Sequence, residues 1–276
     1  MLNDLYVNDH VKNALIEDIG YGDITTENIA TDKDYLKGCL NTREDAVLCG
    51  SNIFKKVYET LSKDVIVEFH FKDGDILKKG DKVADIEGPA KYILMGERVA
   101  LNYIQRMSGI ATETRKYQDA IGENKAKIVD TRKTTPNFRQ FEKYSVKVGG
   151  GAIHRFNLSD CAMIKDNHIR LAGSLTLAVE KVRANISHAH KIEVECDTLE
   201  QVKEALTTDA DIVMLDNMDI ETMKKACELI NGSKIVEASG NVNLNTVKSI
   251  AECGVDIISS SAIVAKAKTI DFGLDI

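Results

Sequence analysis

Beyond about residue 125 the chain alternates between two hydrophobic patterns. KIVDTRK, CAMIKDN, KIEVECD, DIVMLDN, KIVEASG and DIISSSA are short apolar runs that end in polar or charged residues, the signature of buried strands. TLEQVKEAL, DIETMKKACELI and LNTVKSIAECG lie between them with apolar residues at helical spacing. Strand alternating with helix implies parallel strands joined by right-handed crossovers, and a series of such units implies a barrel or an open α/β sheet. The polar residues fall at the ends of the runs: Arg132, Lys165, Glu195, Asp216, Ser239 and Ser259. A barrel brings its strand ends to one rim, where such folds carry active sites. An open sheet would scatter some of them away from its switch point, so the pattern favours the barrel.

The first part of the chain has a different rhythm. LYVNDHVKNALIEDI reads as a helix, DVIVEFHF as a strand, and GDILKKGDKVADIEG as short strands turned at Gly-Asp, which together predict a small β-rich layer. From Lys91 a long helical pattern runs through YILMGERVALNYIQRMSGIATETRKYQDAI, expected as two helices broken near Ser108 and Gly109. No repeat or low-complexity linker interrupts the chain, and its two prolines, Pro89 and Pro136, leave boundaries to be inferred from changes of pattern.

A length of 276 residues suits one large domain or a large and a small one. Hydrophobic residues at 43% and charged residues at 29% describe a soluble globular protein. The polar, acidic start MLNDLYVNDH and the lack of a long apolar run point to a cytoplasmic location without a membrane span. Six cysteines without a CxxC pair read as reduced, mostly buried thiols. A net charge of -7 argues against nucleic acid and anionic membranes as partners. Any anion site must therefore concentrate its cations locally.

In IEVEC the period of two puts Glu193 and Glu195 on one face and Ile192, Val194 and Cys196 on the other. Buried carboxylates need a cation or metal, so these read either as internal ion pairs or, with Asp216 at the next strand end, as ligands for Mg2+ or sugar hydroxyls. The candidate cations are Arg98, Arg132, Lys133, His154, Arg155 and Lys165. Arg offers a rigid fork for carboxylate or phosphate and Lys a point charge, so the mixture suits a ligand with several anionic groups. Arg98 on its helical pattern reads more readily as a solvated side chain. Ser239 and Gly240, with Ser259, Ser260 and Ser261 at the next strand end, form a better phosphate candidate than the triplet at 149–151, which reads as a turn.

Taken in order, EDIGYGDITT, GERVALNYIQRMSGIAT, DTRKTTPNFRQFEKYSVKVGGGAIHRF, MIKDNH, IEVEC, MLDN, EASG and GVDIISSSA resemble the quinolinate phosphoribosyltransferase family over nearly the whole chain. The resemblance implies an α/β fold: an irregular (α/β) barrel with fewer than eight strands and a small N-terminal α/β sandwich domain. It places the sandwich at 1–108, with the C-terminal segment as a candidate to complete it, and the site-bearing barrel at 109–276. It further implies phosphoribosyl transfer from phosphoribosyl pyrophosphate (PRPP) to quinolinate, with decarboxylation to nicotinate mononucleotide, in NAD biosynthesis. Mg2+ is the implied cofactor, and a homodimer with shared active sites the implied assembly.

By motif, Arg132, Arg155 and Lys165 would hold the carboxylates of quinolinate with His154 beside them, and Arg98 would arrive from a partner subunit. Lys133 would face PRPP. Glu195 and Asp216 would hold ribose hydroxyls and Mg2+, directly or through the substrate. Lys133, Lys165, Glu195 and Asp216 form the implied catalytic set, and Ser239, Gly240, Ser259, Ser260 and Ser261 would receive the 5-phosphate. Asn241 departs from the family's SGG, and Ser261 stands in a turn where the family often has glycine. Two readings from the residues alone compete with the transferase: a Schiff-base aldolase using Lys165, and a non-catalytic sensor of sugar phosphates or pyridine carboxylates. A sensor has no need of both an acid set and a cation set, and the intact MIKDNH sides with the transferase.

Overall fold

The computed structural model describes residues 2–276. The chain opens with helices α1 (Asp4–Ile19) and α2 (Thr26–Ile29), then strands β1 (Tyr35–Thr42) and β2 (Ala46–Val47), helix α3 (Ser51–Leu61), strands β3 (Ile66–Phe69), β4 (Ile76–Leu77) and β5 (Lys82–Pro89), and the long helix α4 (Ala90–Ile121). It continues through β6 (Lys127–Val129), α5 (Arg139–Val148), β7 (Ala162–Ile164), α6 (Asp166–Ala172), α7 (Leu175–Arg183), β8 (Ile192–Cys196), α8 (Leu199–Leu206) and β9 (Ile212–Asp216). The last elements are α9 (Ile220–Ile230), β10 (Ile235–Ser239), α10 (Val247–Ala251), β11 (Ile257–Ser259), α11 (Ala262–Ala265) and β12 (Phe272–Asp275). No helix among the described residues is long and apolar enough to cross a membrane.

These elements form two compact units. The first contains the chain up to Arg115 together with Gln140–Gly150 and Ala267–Ile276. Its antiparallel sheet has the order β12-β1-β5-β3, so the C-terminal strand pairs with β1, Cys39 opposite Asp275 and Thr42 opposite Phe272. Val7, Val11 and Leu15 recur every fourth residue and make the buried stripe of α1, which packs on α3. Ile53, Phe54, Val57 and Tyr58 form the buried face of α3.

Helix α4 corrects the expected break at Ser108 and Gly109, because it is continuous from Ala90 to Ile121. Gly109 is there for contact: a Cβ on it would lie 1.9 Å from the backbone oxygen of Lys268. The close approach of the C-terminal segment demands the glycine, and the helix tolerates it. The boundary drawn at 108/109 accordingly falls inside a helix.

The second unit, Lys116–Arg139 with Gly151–Lys266, holds the alternating pattern. Its parallel sheet runs β6-β11-β10-β9-β8-β7, six strands in all. On the outer edge of β6, Ala152 donates its N–H to Ile128 and forms a single parallel bridge with Val129. Arg155 then reaches from that segment to the carbonyl of Cys161 just before β7, at 3.0 Å. The ring of strands is thus completed by a loop and a side chain, which makes the barrel irregular.

Local chemistry starts the outer helices where expected. Ser174 caps α7, Thr198 and Gln201 form a capping box on α8, and Asp219 caps α9. Register decides which side chains share a level inside the barrel. Glu195 pairs with Met214 and Met214 with Glu237, while Asp216 pairs with Ser239 one layer nearer the strand ends. Val194, Val213, Leu215 and Ala238 alternate to the other face and are fully buried.

Candidate active site

A cavity of 630 Å³ opens at the C-terminal ends of the barrel strands. Arg132, Lys133, His154, Arg155, Lys165, Glu195, Asp216, Ser239, Gly240, Ser259, Ser260 and Ser261 all line it, gathered from separate turns of the chain. Arg98 is not among its lining residues, and lies exposed on α4 in the first unit. A second, more apolar cleft of 560 Å³ contains Leu158, Ile164, Leu171 and Val182, and shares Arg132, Arg155, Met163 and Lys165 with the first.

The cations are held by backbone as much as by acids. Arg155 donates Nη1 to the carbonyl of Cys161 at 3.0 Å and Nη2 to Met163 Sδ at 3.3 Å. Arg139 ties the loop together, with Nε to Thr134 Oγ1, Nη1 to the carbonyl of Phe156 and Nη2 to the carbonyl of Arg132. Partial burial, then the positive charges of Arg155 and Arg139, push the pKa of Arg132 down. Like charges gathered in this way repel one another unless an anion joins them. Lys165 forms an ion pair with Glu195. That pairing engages Glu195 Oε2 and, among the described residues, leaves Oε1 without a protein partner.

His154 lines the cavity but faces inward. Its Nε2 lies 3.2 Å from Glu237 and 3.4 Å from Glu193, and both acids are almost wholly excluded from solvent. Its Nδ1 accepts the backbone N–H of Arg155 at 2.8 Å, and the backbone N–H of His154 donates to the buried Asp130 at 2.9 Å. Burial lowers the His154 pKa, but the hydrogen bonds and charges of Glu193 and Glu237 outweigh it and raise the value to about 10. Burial, chiefly, raises that of Glu193. The neutral ring accepts the Arg155 N–H on Nδ1 and carries its proton on Nε2, and the charged ring keeps that Nε2 proton, so an N–H faces the two acids in either state. Although the donor atoms of His154, Glu193 and Glu237 lie within 4.8 Å of one another, that proton stands where a metal bond would form.

Expected and observed positions agree for the strand-end residues. Glu193, weighed as an internal ion pair, is fully buried against His154. The turn at 149–151 is a close-packed one, because a Cβ on Gly149 would lie 2.4 Å from the Ala111 oxygen. Ser259 and Ser260 are each only 5% exposed, which leaves Ser261 the most open of the three.

Sequence reasoning missed Asp130, Arg139, Asn217 and Glu237. Glu237 was legible, since IVEAS repeats the two-residue spacing that marked Glu193 and Glu195. Arg139 and Asp130 act on neighbours brought together only by folding.

A family model described as the quinolinate phosphoribosyl transferase C-terminal domain matches residues 110–275, and its N-terminal counterpart matches 23–108. The chain belongs to the quinolinate phosphoribosyltransferase family. It is 39% identical to the probable nicotinate-nucleotide pyrophosphorylase (carboxylating) of Bacillus subtilis, with 100% of the chain and 95% of the relative covered. The corresponding protein of Synechocystis is 40% identical over 95% of the chain and 90% of the relative. The crystal structure of NadC from Streptococcus pyogenes superposes with a TM-score of 0.97 at 41% identity, covering 100% of this chain and 98% of that one. The cation-rich cavity thus lies in a fold whose relatives are named for pyridine nucleotide chemistry. Human nicotinic acid phosphoribosyltransferase, at 13% identity and a TM-score of 0.60, shares the fold alone.

Proposed function

We infer that the chain is a quinolinate phosphoribosyltransferase, which transfers phosphoribose from PRPP to quinolinate and releases pyrophosphate and CO2 to give nicotinate mononucleotide for NAD biosynthesis. The carrying observation, beside family membership, is the pair of clefts that share Arg132, Arg155, Met163 and Lys165. A reaction between two bound molecules needs two adjoining spaces with the reacting atoms at the junction. The apolar cleft suits a pyridine ring whose carboxylates meet the shared cations. The polar cavity, with Lys133 and the serine turns, suits PRPP.

Arg132, Arg155 and Lys165 bind the two carboxylates in this reading, and Arg139 keeps the Arg132 loop in place. Both ring nitrogens of His154 are occupied by protein groups, so His154 supports Arg155 from below. Ser239, Gly240, Ser259, Ser260 and Ser261 take the 5-phosphate. Glu195 and Asp216 face the ribose, where fixed carboxylates stabilise the positive charge that grows on C1 as pyrophosphate departs.

The ring nitrogen supplies the electron pair for the new bond to C1, while the C1–O bond breaks toward pyrophosphate. The bond to the C2 carboxylate then breaks, CO2 leaves, and its electron pair stays on C2 beside the cationic nitrogen until a proton replaces it. In this reading Lys165, which lines both clefts, stabilises that charge.

One oxygen on each of Glu195 and Asp216 has no protein partner among the described residues, which fits an Mg2+ carried in with the phosphates. The ion would neutralise charge on pyrophosphate as it leaves. The aldolase reading gains no support from the cavity, where Lys165 is ion-paired with Glu195 and stands with Arg132, Lys133 and Arg155, a set suited to a ligand with several anionic groups. The proposed assembly is a cytoplasmic homodimer in which Arg98 completes the site of the partner subunit.

Purified protein with Mg2+, PRPP and quinolinate is expected to release CO2 and form nicotinate mononucleotide. Nicotinate, which lacks one carboxylate, is expected to be a poor substitute. Equal turnover of the two acids, or none by folded protein, refutes the assignment.

A further inference from the structure

Asn217 sits where two strand-end turns meet, and every polar atom of its side chain is used. Its Nδ2 donates to Asp216 Oδ2 at 2.6 Å, and its Oδ1 accepts Asn241 Nδ2 at 3.2 Å. A carboxylate only accepts, so the first bond fixes which end of the Asn217 amide is nitrogen. The backbone N–H of Asn217 donates to the carbonyl of Ser239 at 3.0 Å. Gly240 closes over the amide: a Cβ there would lie 2.2 Å from Asn217 Oδ1 and 2.8 Å from Asn217 N.

Both asparagines adopt left-handed backbone, φ 53 at Asn217 and φ 52 at Asn241, a conformation that Asn and Gly accept more readily than other residues. Asn241 is the departure noted in the sequence, and its amide adds a contact that a glycine could not make. The Asn241 carbonyl is held in turn by Asn243 Nδ2 at 3.1 Å and Thr246 Oγ1 at 3.2 Å.

We propose that Asn217 is a positioning residue for the phosphoribosyl donor: its amide holds Asp216 with one carboxylate oxygen free toward the cavity and couples it to the 239–241 turn, with Asn241 as the outer link. This rests on the proposed reading, in which Asp216 meets the ribose and Ser239 and Gly240 the 5-phosphate. The ribose and the 5-phosphate of one substrate are then gripped by a single hydrogen-bonded unit. The quinolinate cations lie on other turns and do not share it.

The test is PRPP binding by calorimetry in Mg2+ without quinolinate, followed by KM for each substrate, on Asn217→Gly, Asn217→Asp, Asn241→Gly and the Asn217→Gly/Asn241→Gly pair. Glycine keeps the positive φ and removes only the side chain, while aspartate keeps the shape and replaces the donor with a second carboxylate. Loss of a hydrogen bond to a charged group predicts a rise of roughly 10-fold or more in Kd and KM for PRPP in Asn217→Gly. Quinolinate KM is expected to stay within about 2-fold, as independent sites should. Asn241→Gly loses a neutral hydrogen bond and is expected to weaken PRPP by about 3- to 5-fold, with no further loss on the Asn217→Gly background.

Aspartate at 217 is expected to be no better than glycine. A purely structural role would let the isosteric aspartate restore binding, and that result overturns the proposal. A quinolinate KM that rises as much as that for PRPP also overturns it. If wild-type protein binds no PRPP, the functional reading fails first and this inference falls with it.

Discussion

Gly109→Ala reverses the usual sign of a glycine-to-alanine change in a helix. At an open helical position Ala gains about 1 kcal/mol over Gly from propensity. Here the added methyl would stand 1.9 Å from the carbonyl oxygen of Lys268 and 3.0 Å from its carbon, both backbone atoms. Relief requires the C-terminal segment to move by about an ångström, since real Cβ contacts essentially never fall below 3.0 Å. That segment is tethered, because the N–H of Ile270 donates to the carbonyl of Gln105 and β12 pairs with β1. Overpacking of this kind costs about 1–3 kcal/mol, and more when backbone must yield. Setting the propensity gain against the upper part of that range leaves a net loss of about 2 kcal/mol, which lowers Tm by about 4–8 °C for a chain of this size.

Gly96 supplies the comparison within the same helix. Its added methyl meets side-chain atoms only, Tyr58 Cε1 at 2.9 Å and Leu61 Cδ1 at 3.0 Å, and these can shift. Thermal unfolding followed by circular dichroism should therefore rank wild type above Gly96→Ala and Gly96→Ala above Gly109→Ala. A Gly109→Ala protein as stable as wild type, or more so, refutes the reasoning that this glycine is required by close approach.

Two further outcomes are expected. On the proposed shared-site homodimer, mixing inactive Arg98→Ala with inactive Lys165→Ala protein under subunit exchange should restore activity, because each mixed pair would hold one intact site; no restoration after proven exchange would put Arg98 in its own subunit's site. Burial raises the thiol pKa values of Cys161 and Cys227 to about 11 and of Cys196 to about 12, so at pH 8 folded protein should react slowly with iodoacetamide, faster as pH rises toward those values and faster again when unfolded. Rapid labelling of these residues in folded protein at pH 8 would contradict their burial.

The barrel and its site were legible in different degrees. Short apolar runs with polar ends marked the parallel strands, because a strand covered by helices outside and packed inside the barrel is apolar along most of its length and turns polar where its end meets the cavity. The polar ends of those runs name Arg132, Lys165, Glu195, Asp216, Ser239 and Ser259, and all six line the cavity. Gly109 misled for a physical reason. Glycine breaks helices by local propensity, yet it also admits close backbone contact, and the partner here lies about 160 residues along the chain.

What the sequence determined by itself is the periodic pattern, which favours the barrel, and the residue types at strand ends, which mark a site for an anionic ligand; the ordered motifs, not the spacing, carry the likeness to the family. Only the tertiary structure decided which groups meet. Met214 sets Glu195 and Glu237 on one level through strand register, and Asp130, Glu193 and Glu237 converge on His154 from three different strand regions. Spacing along a chain specifies the direction of a side chain relative to its own element. The partner that occupies its hydrogen bonds depends on how distant elements pack, so His154 reads as one of the candidate cations in sequence and as a support for Arg155 in three dimensions.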